Sequence, residues 1–114
     1  MTSSSAFARG DVVTVEFPFA DGAGSKDRPA VVVAGPSPYG DYTVVMISKE
    51  RHVDGVSITR ADFASGSLNT DSFVRVSRLF TVDGGTVIGK RGTLKLGTVA
   101  RVNSMLCPML GCKS

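Results

Sequence analysis

The sequence predicts a mainly-β protein, a small antiparallel barrel carrying one C-terminal helix. Three observations lead there. Residues 10–88 contain short runs of alternating or continuous apolar residues, punctuated by Gly, Pro and Asp. No helical period interrupts these runs, so the strand–helix rhythm of a parallel sheet is missing. From Leu96 onward the apolar spacing changes to three or four residues, the repeat of a single helix face.

The stretch 10–33, GDVVTVEFPFADGAGSKDRPAVVV, organises the chain. Val13, Val15, Phe17 and Phe19 alternate with Val12, Thr14 and Glu16, the period-two pattern of a half-buried strand. Pro18 has no N–H to give a ladder, so this end is an edge or the point where the strand leaves its sheet. Residues 20–27 mix Gly, Ala and Ser with charges and hold no large apolar anchor, which predicts a mobile loop. Pro29 then keeps Arg28 out of helical dihedrals, and residues 30–33 form a buried-type strand.

Residues 35–41 are a turn cluster. Residues 42–47 are apolar on both faces, which predicts a central strand covered on both sides. It ends in a polar exit from Ser48 to His52. Residues 53–59 suggest a short hairpin arm turning at Asp54-Gly55. Residues 60–70 read as irregular. A fourth main strand spans 72–79 and continues through 80–82; a turn at 83–85 precedes a short strand at 86–88. The helix presents Leu96, Val99, Val102 or Asn103, Leu106 and Leu110 on one face. Thr93 is its expected cap, Gly97 weakens it, and Pro108 ends or kinks it. There is no internal repeat or linker.

At 114 residues the chain has room for one domain, taken as 10–114, with 1–9 a disordered start. The Ser-rich start lacks the apolar segment of a signal peptide, and no run approaches the length of a membrane span. Cys107 and Cys112 are therefore expected as reduced thiols in a cytoplasmic protein. The net charge of +3 is a mild basic bias, compatible with a polyanionic partner or with plain solvated surface.

Several chemistries drop out. His52 is the single histidine, which excludes a histidine pair and reads as a surface residue. The cysteines lack neighbours at zinc-ligand spacing, no carboxylate pair marks a magnesium site, and residues 22–26 lack the spacing of a phosphate cradle. No metal or cofactor is expected. What remains is arginine with hydroxyl groups. Arg28 carries a planar, permanently charged guanidinium suited to the charge a phosphodiester gathers during displacement. The plainer alternative is a surface ion pair with Asp27 or Asp21.

Gly-Asp-Val-Val at 10–13, Phe-Pro-Phe at 17–19, Gly-Ser-Lys at 24–26 and Arg-Pro-Ala-Val-Val at 28–32, in that order and spacing, resemble the PemK/MazF family of toxins from type II toxin–antitoxin pairs. The resemblance runs from Gly10 to about Leu110. It implies an SH3-like barrel of the CcdB/PemK/MazF kind, working as a homodimer. It also implies a sequence-selective endoribonuclease that needs no metal. The single-stranded RNA substrate, mRNA, would be cleaved by its own 2′-OH to give a 2′,3′-cyclic phosphate and a 5′-OH, stopping translation and growth. The implied partner is an antitoxin with an acidic, disordered tail, and the pair would bind DNA as a complex.

By the same resemblance Arg28 is catalytic. Ser48 stands at the strand-end position usually held by threonine, and Arg75 matches an arginine that helps bind or cleave RNA. Two departures concern proton transfer. Ser77 replaces an acidic residue of some members, and Ala23-Gly24-Ser25 replaces a loop glutamate, which leaves acid–base work to Arg28, Ser48 or water. Lys26, Lys49, Arg51 and Arg78 are expected on the RNA backbone. Tyr39 is the exposed ring expected to stack a base, whereas Phe17 and Phe19 belong to the core by their alternation. Two other readings stand beside this one: a protein-binding toxin of the CcdB type, which typically uses a tryptophan that this chain lacks, and an inactive paralogue.

Overall fold

A computed structural model describes residues 7–18, 24–51, 53 and 55–111. The strands are β1 (Asp11–Pro18), β2 (Ser25–Ala34), β3 (Asp41–Ser48), β4 (Gly55–Ile58), β5 (Phe63–Gly66), β6 (Ser72–Asp83) and β7 (Val87–Leu94), followed by α1 (Leu96–Leu110). They form one seven-stranded sheet in the order β4-β6-β3-β2-β1-β7-β5. Every pairing is antiparallel. The expected fold class holds, with one refinement. The sheet has two ends, β4 and β5, so the barrel is open rather than closed.

Successive strand residues point to opposite faces. Here both faces are covered. Val12, Val31, Val45, Ile47, Val74 and Val76 pack on one side, where Val102 and Leu106 of α1 join them. Val13, Val15, Ala30, Val32, Tyr42 and Val44 form a second core on the other. Adjacent pairs such as Val12/Val13 and Val44/Val45 thus feed different cores, and each buried valine contributes about 1.5–3 kcal/mol relative to exposure. β3 is central, as its two apolar faces predict. β1 is buried on both faces at Val12 and Val13 rather than half-buried.

β6 changes course midway. Val45 pairs with Leu79 and Ile47 with Val74, so Met46 alone faces the β6 residues 75–78. Such a bulge bends a strand and raises its twist. It lets the first half of β6 pair with β4 on its other edge.

Other expectations need correction. Ser25, Lys26 and Asp27 lie in β2, not in a loop, opposite Pro18, Phe17 and Glu16; the Ser25 hydroxyl donates to Glu16 Oε2 at 2.8 Å. Residues 60–70 are not wholly irregular. A capping box between Thr59 and Asp62 closes a 3-10 turn over Arg60–Asp62, and buried Phe63 opens β5. Thr93 caps no helix. It sits in β7 and donates to Asp11 Oδ1 at 3.0 Å, while α1 starts after Lys95 without a side-chain cap. Pro108 lies in the last turn, and the helix ends at Gly111 in the left-handed region. Leu96 and Leu110 fall off the buried helix face and are exposed.

The packed chain also begins before Gly10. Phe7 meets Tyr42 edge-on at 5.6 Å, and its amide donates to the Tyr42 hydroxyl at 2.9 Å. Residues 7–9, expected as part of a disordered start, are thus among the described residues. Phe19, Asp21, His52, Asp54 and Cys112 lie outside the described residues. Among the described residues no helix is long and apolar enough to cross a membrane.

Candidate active site

The β2–β3 ladder leads toward the two principal candidates. Ala30 pairs with Met46, Val31 with Val45 and Val32 with Val44. The paired register ends at Ala30 and Met46, two residues short of Arg28 and Ser48, which both line a cavity at this end of the two strands. On its other edge Arg28 is the register partner of Val15, so its backbone is held between two neighbours while its side chain remains exposed. Ser48 ends β3, and its Oγ accepts the Glu50 amide at 3.1 Å, which turns the chain out of the sheet.

A cavity of about 430 Å³ opens at this end of the strand pair. Lys26, Arg28, Lys49 and Arg91 line it against the carboxylates of Asp27 and Glu50. Leu68, Asn69 and Thr70, between β5 and β6, make its far wall. Residues of both strand faces contribute, Pro29 and Ile47 as well as Arg28 and Ser48, because the cavity lies at the mouth of the pair rather than over one face. The cationic excess in a concave site favours polyanions. Among the described residues no ion pair engages Arg28; those present join Lys90 to Asp11 at 3.7 Å and Arg101 to Asp62 at 3.4 Å. The pairing of Arg28 with Asp27 is thus not seen, and Asp21 is outside the described residues.

Arg91 was not among the sequence candidates. Val12 pairs with Gly92 and Val13 with Lys90, which leaves Arg91 in a bulge with no opposite residue on β1. Its backbone is fixed from the far side by β5. A methyl group at Gly66 would lie 2.2 Å from the Arg91 carbonyl oxygen, and one at Gly92 would lie 2.5 Å from that of Ser65. Glycine within a strand pattern signals such close approach. Nothing in the local sequence, however, tells where Arg91 ends up.

The remaining candidates separate. Lys26, Arg28, Ser48 and Lys49 share the cavity. Arg51 lies beside it: its guanidinium carbon is 5.8 Å from the ring centroid of Phe73, the register partner of Ser48. Arg75, partly buried, pairs with Gly55 and, like Ser77 and Arg78, sits on the β6 bulge outside the cavity lining. Tyr39 is 89% exposed but occupies the turn between β2 and β3. At about 3.3 Å per residue that turn is about 20 Å from Arg28, so Tyr39 lies away from this cavity. Phe17 meets Phe80 edge-on at 5.5 Å and packs against the second core, as its alternation predicts.

Asp62 is a carboxylate of a different kind. Its Oδ2 accepts the Thr59 amide at 2.8 Å, and its Oδ1 accepts the Thr98 hydroxyl at 2.9 Å and Arg101 Nη2 at 3.4 Å. Burial by itself raises the Asp62 carboxyl, but these bonds and the Arg101 charge outweigh it and hold the group below the ordinary aspartate value. Arg101 also donates to the Ser57 carbonyl at 2.8 Å, so the cluster ties α1 to β4 and to the turn before β5. Among the described residues no group of three metal-ligating side chains is assembled, and Cys107 is partly buried.

The architecture has close counterparts. An endoribonuclease from a mycobacterial species superposes with a TM-score of 0.73 at 16% identity, covering 96% of each chain. An endoribonuclease in complex with its cognate antitoxin, also mycobacterial, gives 0.72 at 18%, covering 96% of this chain and 98% of the other. MazF in the MazE–MazF complex of Deinococcus radiodurans gives 0.70 at 19%, covering 92% and 96%. At such identities the likeness establishes the shared fold. No curated protein sequence matches the chain. Residues 8–110 do match a family described as PemK-like, MazF-like toxin of type II toxin–antitoxin system. With that match spanning all seven strands and the helix, the chain belongs to the PemK-like, MazF-like toxins of type II toxin–antitoxin systems.

Proposed function

We propose that this toxin is a sequence-selective endoribonuclease that cuts single-stranded RNA, chiefly mRNA, without a metal ion. It acts in the cytoplasm as a homodimer and is silenced by an antitoxin. The observation that carries this reading is the cationic cavity that Arg28 and Ser48 line together.

RNA carries its own nucleophile, the 2′-OH. The protein has to hold that oxygen in line with phosphorus, and positioning of this kind supplies several kcal/mol, up to about 7–11 in ideal intramolecular cases. Arg28 donates to the non-bridging oxygens, where charge grows in the transition state. Ser48 orients the same phosphate across the strand pair. Lys26, Lys49 and Arg91 neutralise the flanking backbone, and Arg51 follows outside the cavity. Arg75, Ser77 and Arg78, on the β6 bulge, fit more distant nucleotides. The products are a 2′,3′-cyclic phosphate and a 5′-OH. The endoribonuclease names of structural neighbours, one of them bound to its antitoxin, support both halves of the reading. An acidic antitoxin tail and RNA would compete for the same cations.

The test is incubation of purified protein with long single-stranded RNA in EDTA beside Arg28→Ala, with end mapping. Discrete cuts bearing 5′-OH ends, lost in the variant, are expected. Intact RNA from a folded wild-type dimer would refute the reading and favour a protein-binding toxin.

A further inference from the structure

We infer that Glu50 is the general base that removes the 2′-OH proton, an inference that rests on the ribonuclease reading above. Cleavage by the 2′-oxygen needs an acceptor for that proton. Arginine stays protonated and is a poor acceptor. Ser77 carries no carboxylate and lies on the β6 bulge, outside the cavity lining.

Other carboxylates have structural duties. Asp11 is buried and accepts the Ala8 amide and the Thr93 hydroxyl. Asp62 holds the helix clasp, and Asp83 Oδ1 accepts the Gly85 amide. Two carboxylates line the cavity, Asp27 and Glu50. Asp27 alternates to the face opposite Arg28 along β2, and its register partner is Glu16. Glu50 follows the turn that starts at Ser48, and its amide is bonded to the Ser48 hydroxyl oxygen at 3.1 Å. The side chain that orients the phosphate therefore also anchors the backbone that carries Glu50. Lys26, Arg28, Lys49, Arg91 and Asp27 are the charged groups sharing the cavity with it.

The step balances. Glu50 takes the proton as the 2′-oxygen bonds to phosphorus, and the P–O5′ bond breaks. The departing 5′-oxygen takes a proton from water, and Glu50 returns its own to solvent. No co-reactant is consumed.

The test compares wild type, Glu50→Gln and Asp27→Asn in steady-state cleavage of one RNA across pH. The Glu50 contact to Ser48 uses the backbone, so the substitution leaves the turn intact; unchanged circular dichroism checks this. General-base loss is expected to lower kcat about 10²–10⁴-fold. KM should stay level or fall, because the variant removes a negative charge from the RNA path. The Glu50→Gln rate should also climb about tenfold per pH unit as hydroxide takes over, a steeper rise than wild type shows over the same range. Asp27→Asn removes the same unit of charge from the same cavity, so its kcat should fall far less than that of Glu50→Gln and its rate should show no such added dependence on hydroxide. Unchanged kcat in Glu50→Gln, an effect confined to KM, or a larger loss in Asp27→Asn would each overturn the assignment. If wild type itself leaves RNA intact, the ribonuclease reading fails and takes this inference with it; if wild type cuts and Glu50→Gln cuts as fast, this inference alone fails.

Discussion

Replacing Asp62 with alanine deletes the acceptor at the centre of the clasp between α1, β4 and the 3-10 turn. Two well-formed bonds are lost, from the Thr59 amide at 2.8 Å and the Thr98 hydroxyl at 2.9 Å. Thr98 is itself buried, so its hydroxyl is left without that acceptor. Hydrogen bonds to charged groups are worth about 1.5–3 kcal/mol each. The Asp62 side chain keeps 17% of its surface in solvent, and the Arg101 contact is long and half-exposed, so the Thr59 and Thr98 bonds are discounted and the Arg101 contact adds little. The expected loss is about 2–3 kcal/mol, or about 10 °C in Tm for a domain of this size.

The pH dependence has a definite sign. Asp62 is held below the ordinary aspartate value in the folded state, so its contribution is present above the unfolded pKa and is lost as pH falls through the folded one. Urea unfolding of wild type and Asp62→Ala should therefore differ fully at neutral pH and converge below the ordinary aspartate range, with equal m-values. A variant as stable as wild type at neutral pH, or a gap that persists unchanged into strong acid, would refute the argument.

Two further outcomes concern the cavity. Gly66→Ala sets a methyl group against the Arg91 carbonyl at a left-handed position, φ +67, where the opposing atom is backbone and does not yield. Overpacking and backbone strain together should cost about 2–4 kcal/mol, seen as a lowered denaturation midpoint. Arg91→Ala should weaken RNA binding alike for all sequences and reduce the slope of log K against log salt by about 1; an unchanged slope would remove Arg91 from the RNA path.

Legibility followed the range of the interactions involved. Arg28 was visible because Pro29 constrains it locally and an apolar strand follows. Ser48 was visible as the polar end of a two-faced apolar run. Lys26 and Lys49 were counted as backbone contacts from proximity in sequence to those two, and they do share the cavity. The exposure of Tyr39 was visible because its neighbours are turn residues, but its place at the end of the β2–β3 pair away from the cavity was not. Arg75, Ser77 and Arg78 looked continuous with one strand, but the bulge opposite Met46 sets them apart. Strand β5, with Ala64, Ser65 and Gly66, has little intrinsic preference for a strand and pairs because β7 lies against it.

What the sequence determined by itself is therefore the local periodicity: the strands β1 to β3, the long β6, the helix and the extended Arg28. Each depends on residues a few positions apart. Tertiary structure alone decided the strand order, the open ends, the second core beneath Tyr42 and Phe7, and the company in the cavity. Val13 meets Lys90, Gly66 meets Gly92, and Ser48 meets Phe73 across long stretches of chain. Such pairings are set by which register buries both apolar faces at once, a condition that no local window of sequence contains.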